Sequence, residues 1–127
     1  MSLTHHVSFP HNTMDLEIND QLLSDVWNCR FEDVESLLEK GADINAKDCK
    51  DNQCWTPLHV ISSFHWKGSQ DFARFLLENG ANIESRDMYG NTPLHIASLS
   101  NRLEVMDILL ENVANVEATE EGSTTEE

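Results

Sequence analysis

Positive charge is scarce in this chain: Lys and Arg number 8 against 23 Asp and Glu, a formal net charge of −15 over 127 residues. A nucleic-acid surface needs a surplus of Lys and Arg to neutralise phosphates, and an anionic membrane attracts basic segments, so neither is an expected partner. Long apolar runs are missing as well, and no transmembrane helix is encoded. Residues 1–9 have no basic start and no apolar stretch of the kind a secretory leader carries. Only three cysteines occur, Cys29, Cys49 and Cys54, with no Cys-x-x-Cys and no dense, even framework. A reduced intracellular compartment, the cytoplasm first, is therefore the expectation. An effector exported by a machine that needs no leader would look the same. Glycine is limited to five scattered residues, which excludes the Walker and dinucleotide phosphate loops. Neither a Gly-x-Ser-x-Gly elbow nor a His-Glu-x-x-His helix is present.

What is present is a repeat. Leu, Ile, Val and Phe total 32 of 127 residues, enough for a core. Thr-Pro-Leu-His occurs at 56–59 and again at 92–95. A second set aligns as Gly-Ala-Asp-Ile-Asn at 41–45, Gly-Ala-Asn-Ile-Glu at 80–84 and Val-Ala-Asn-Val-Glu at 113–117. The base period is 33, with three extra residues before Thr56 and three after Phe64.

Each unit has a local physical logic. Thr56 and Thr92 can cap a helix whose first position is a proline, where the missing N–H costs nothing. A short helix is expected from Leu58 to about Phe64 and from Leu94 to about Ser100. A second helix shows helical spacing in all three units: Phe31, Val34, Leu37 and Leu38; Phe72, Phe75 and Leu76; Leu103, Met106, Leu109 and Leu110. Gly41 and Gly80 follow these helices, where a left-handed residue is wanted. Val113 stands at that place in the third unit, so its end is expected to fray or adopt another turn. Such helix pairs cannot bury their apolar faces alone and must stack on copies of themselves.

The chain resembles the ankyrin repeat family over roughly residues 20–119, through Thr-Pro-Leu-His, the Leu-Leu-Glu triplets at 37–39, 76–78 and 109–111, and Gly-Ala-Asp-Ile-Asn. The resemblance implies an all-α solenoid of stacked helix–turn–helix units with β-hairpin-like loops. Three repeats are expected at about 19–50, 51–86 and 87–119. A flexible arm over 1–18 precedes them and an acidic disordered tail over 120–127 follows. The first unit lacks Thr-Pro-Leu-His, and its Asp20, Ser24 and Asp25 fit a capping repeat with one wet face. The resemblance also implies a function: a protein–protein interaction module with regulatory or tethering purpose, no cofactor and no enzymatic activity.

In such arrays the loop tips and inner helices line a concave binding face. Carried over position by position, this gives Trp27 and Asn28, then Asn52, Gln53, Trp55 and Phe64, then Met88, Tyr89, Asn91, Leu99 and Ser100. The insertion after Phe64 adds Trp66, with His65 and Lys67 beside it. Trp and Tyr favour such a role because they bring contact area with few rotors, although Trp27, Phe64 and Trp66 could equally pack between units. The acidic field would steer a partner with a basic surface, or simply keep the array soluble.

Three other readings remain open. Cys49, Cys54, His59 and His65 are loosely spaced like zinc ligands, which gives a metal or thiol site at Cys49, Cys54 and His65 as the alternative function. The family match instead assigns His59 to repeat-to-repeat bonding, and Thr56, His59, Thr92 and His95 to caps and bridges. The uncapped third unit could also stack on a second copy. Finally, Leu37, Asp43, Ile44 and Asn45 resemble the setting in which ankyrin asparagines are hydroxylated.

Overall fold

The computed structural model describes residues 10–50, 53–64 and 66–124. Its helices are α1 (Pro10–Trp27), α2 (Phe31–Glu39), α3 (Pro57–Ser63), α4 (Ser69–Glu78), α5 (Pro93–Leu99) and α6 (Leu103–Thr124). They pair as α1 with α2, α3 with α4 and α5 with α6. The first members of the pairs also stack in sequence, α1 on α3 on α5, while α4 packs on α6.

The two Thr-Pro-Leu-His segments begin α3 and α5 in the same way. Thr56 and Thr92 are extended and close complete capping boxes: the His59 and His95 amides donate to the threonine Oγ1, and the threonine amides donate to the histidine Nδ1. A side-chain cap of this kind contributes about 1 kcal/mol per helix. At the other end, α2 and α4 stop before Gly41 (φ +104°) and Gly80 (φ +97°), whose conformation suits only glycine. The following amides of Ala42 and Ala81 then close on the Leu37 and Leu76 carbonyls.

The first helices of units one and three end on a shared turn. Cys29 (φ 56°) and Asn101 (φ 57°) are left-handed. The next amides, Arg30 and Arg102, return to the carbonyls of Asp25 and Ala97, each at 2.8 Å. In unit two the three extra residues replace this turn, and Phe64 is extended instead (φ −85°, ψ 142°).

Leu22, Val26, Val34, Leu58, Ile61, Phe72, Leu76, Ala97, Val105 and Leu109 form one continuous core through all three units. No strand forms among the described residues. The expected hairpin-like loops reduce to a single antiparallel bridge between Asp48 and Trp55.

Two spans differ from the sequence expectation. Helix α1 starts at Pro10, inside the segment assigned to a flexible arm, with proline in the first turn where it is tolerated. Helix α6 runs through Val113 to Thr124, into the expected tail. A valine in the left-handed turn that Gly41 and Gly80 make would cost about 1–2 kcal/mol, and the helix continues through it instead.

Candidate functional site

The tips of units two and three form one hydrogen-bonded surface. In unit three the tip runs from Asp87 to Asn91, closed by the Asp87 amide on the Asn91 carbonyl at 2.9 Å. The Asp87 carboxylate sits beneath it and accepts from the amides of Tyr89 and Asn91 and from the indole Nε1 of Trp55. Burial would raise the Asp87 pKa, but these hydrogen bonds, led by the Asn91 amide, hold it below the ordinary 3.8. The equivalent pair in unit two, Asp48 and Trp55, is closed by the same 2.9 Å bond around a tip three residues longer. The Met88 amide donates to the Gln53 carbonyl at 3.0 Å and so ties the two tips together.

Behind the tips lies an aromatic stack. Trp55 is parallel to Trp27 with centroids 6.1 Å apart, and to the His59 ring at 6.3 Å. Phe64 tilts against Trp27 at 5.4 Å. All three large rings are half-buried, and the Trp27 indole N–H has no partner among the described residues. His59 is fully buried. Its Nδ1 accepts from the Thr56 amide, which leaves the proton on Nε2 to donate to the Asn91 carbonyl at 2.8 Å. Burial lowers its pKa below 6.5, against the opposing pull of the Asn91 carbonyl and the Asp87 charge. His95 has the same cap but no such bridge among the described residues.

A profile of ankyrin repeats in three copies matches residues 22–120. The chain belongs to the ankyrin repeat family. An ankyrin repeat protein of fowlpox virus (strain NVSL) is 36% identical over 112 residues, 87% of this chain and 31% of that protein. The Neurogenic locus Notch protein of Drosophila melanogaster is 34% identical over 112 residues, 87% of this chain and 4% of the relative. Ankyrin repeat domain-containing protein 37 of Mus musculus is 30% identical over 100 residues, 79% of this chain and 60% of the relative. The chain thus spans less than a third of the first two relatives. Ankyrin repeats in general are protein-binding modules rather than enzymes.

Within this ankyrin array the candidate face divides. Gln53, Trp55, Met88, Tyr89 and Asn91 come together at the joined tips, with Trp27 and Phe64 stacked behind them. Met88 and Tyr89 are 58% and 70% exposed, so the tip of unit three presents two neighbouring open apolar side chains. Leu99 is 76% exposed at the end of α5, and Ser100 caps that helix while its carbonyl receives the Arg102 Nε. Asn28 is exposed and turns its amide onto the Ser24 carbonyl. Trp66 stands apart from the tips. Its ring lies over Gly68, where a Cβ would come within 2.8 Å, and meets Phe72 edge-on at 5.9 Å. Asn52 and His65 lie outside the described residues.

The metal or thiol alternative loses its support. Cys49 and Cys54 are joined in a disulfide across the longer tip, so neither is a free thiolate. His59 has both ring nitrogens engaged. No cluster of three metal-binding side chains exists among the described residues. Asn45 is engaged as well: its amide donates to the Gly80 carbonyl at 3.2 Å and accepts from the Asn82 amide at 2.7 Å, bridging two units. None of the described helices is long and apolar enough to cross a membrane.

Proposed function

We propose that this ankyrin array is a non-enzymatic module that holds a protein partner on the joined tips and the neighbouring end of α5, in a regulatory or tethering role. The exposure of Met88 and Tyr89 on a tip anchored by the buried Asp87 carboxylate carries this reading. Anchoring fixes the backbone beneath two large apolar side chains, and a fixed aromatic with few rotors loses little entropy on binding. Trp55, Trp27 and Phe64 act as the platform behind it, half-buried and engaged with each other. The net charge of −15 favours a partner with a basic surface and should speed encounter more than it adds affinity.

The test is capture from lysate with wild type and a Met88→Ala/Tyr89→Ala variant, whose substitutions touch neither the core nor the Asp87 network. A partner held by wild type and lost from the folded variant supports the reading. Equal capture by both moves the site elsewhere. Leu99, Leu103 and Leu110, all exposed on the last unit, support a second reading in which copies of the chain self-associate. Light scattering across concentrations separates the two.

A further inference from the structure

The insertion after Phe64 builds a cleft of about 400 Å³ against the start of α6, away from the joined tips. Phe64 and Trp66 supply apolar walls, Ser69 and Gln70 open α4, and Lys67 and Arg102 bring positive charge, with Glu104 at the rim. Three observations point to an occupant. First, two of only 8 basic residues in an acidic chain meet at this cleft. Second, Ser69 is 4% exposed and its hydroxyl has no hydrogen-bond partner among the described residues, an uncommon state for a buried polar group. Third, α4 is preceded by Gly68, so no side chain caps it. The Ser69 amide donates to the Trp66 carbonyl at 3.0 Å and Asp71 lies in the first turn, but the next helical N–H groups at an uncapped start still favour an anion. Gly68 is required here because the Trp66 ring occupies the space a Cβ would take. The same contact that holds Trp66 as a wall therefore leaves the helix start uncapped.

We infer that this cleft binds a carboxylate side chain of an acidic peptide segment, with Lys67, Ser69 and the start of α4 on the carboxylate and an adjoining apolar residue against Trp66 and Phe64. The overall negative charge does not forbid it. Screening at physiological salt acts over about 8 Å, so the charges beside the cleft dominate those elsewhere on the array. Glu104 opposes the anion and sets a preference for ligands that approach from the Lys67 side. This site shares Phe64 with the platform behind the tips but none of the tip residues, so loss of the tip side chains leaves it intact.

A random dodecapeptide display library tests it, panned on wild type and on Lys67→Glu, with recovered clones remade as synthetic peptides. The expected result is enrichment of Asp or Glu beside an aromatic or aliphatic residue, with affinity falling at least about tenfold in Lys67→Glu. Ser69→Ala should bind several-fold more weakly while melting no lower than wild type, a combination a purely structural serine would not give. Met88→Ala/Tyr89→Ala should leave peptide affinity unchanged. Absence of acidic enrichment, or equal binding to Lys67→Glu, overturns the inference. Displacement of the peptide by inorganic phosphate far more readily than by acetate also overturns it, in favour of a phosphate ligand.

Discussion

The indole Nε1 of Trp55 donates to the Asp87 carboxylate at 2.9 Å, across 32 residues of sequence. That bond joins the tip of one repeat to the turn of the next, and it places Trp55 in the scaffold rather than on the open surface. Hydrogen bonds to charged groups contribute about 1.5–3 kcal/mol. Trp55→Phe should therefore lower stability by about 2 kcal/mol in urea denaturation. A double-mutant cycle with Asp87→Asn should recover most of that loss as coupling, whereas additive effects would show that the bond contributes little.

Acid should weaken the array in two stages. His59 is held neutral by burial, so its folded pKa lies below the unfolded 6.5. The unfolded chain then takes up the proton first, and stability that is complete above pH 6.5 is lost as pH falls toward the folded value. Asp87 has its folded pKa depressed below 3.8, so its contribution is present above that value and disappears as pH falls through the folded pKa. Thermal melts from pH 8 to pH 3 should show both declines, and His59→Leu should remove the upper one.

Cys29 takes a left-handed conformation that costs a non-glycine residue on the order of 1 kcal/mol, while its neighbour in register, Asn101, tolerates it better. Cys29→Gly should therefore raise stability by several tenths to about 1 kcal/mol, and Asn101→Gly by less. Burial also raises the Cys29 thiol above its ordinary 9.0, so it should react slowly with alkylating agents at neutral pH.

The disulfide between Cys49 and Cys54 closes a loop with a sequence separation of only 5. Loop-closure entropy for so short a span gives about 2 kcal/mol at most. Reduction, or Cys49→Ser/Cys54→Ser, should lower the melting temperature by a corresponding few degrees and leave the helical signal unchanged. A loss of helix on reduction would mean that the tip organises far more than its own backbone.

The repeat was legible because its signals are local. Thr-Pro at 56–57 and 92–93, and Gly41 and Gly80, each specify a helix end through its own backbone geometry, and the period follows from their recurrence. The six inserted residues were countable for the same reason. Trp27 was ambiguous because its surroundings depend on Trp55 and Phe64, in the next unit along the sequence, and periodicity does not report which side of a stack a ring faces. The cysteine pairing was hidden by the insertion itself, whose register emerges only once Asp48 and Trp55 close the loop. Ser69 carried no signal on its own. The neighbouring Trp66 and Gly68 were the available clue, a bulky ring two residues from a glycine at a helix start.

The two junctions between repeats share one apolar core, and polar links cross the first as well, from Asn45 to Gly80 and Asn82 and from Lys47 to the Arg86 carbonyl. They differ in their rings and their ionisable groups. Ring contacts between units, Trp27 with Trp55 and Phe64, and Phe31 with Phe72 and Phe75, all fall at the first junction among the described residues. The second carries the polar links of Gln53, Trp55 and His59 to unit three. The last two of these links depend on a neutral histidine and an ionised aspartate. The histidine and aspartate that titrate both serve the second junction, so acid loosens the seam between units two and three before the seam between units one and two. One short solenoid thus carries a proton-sensitive hinge line at one of its two seams, able to yield while the other holds.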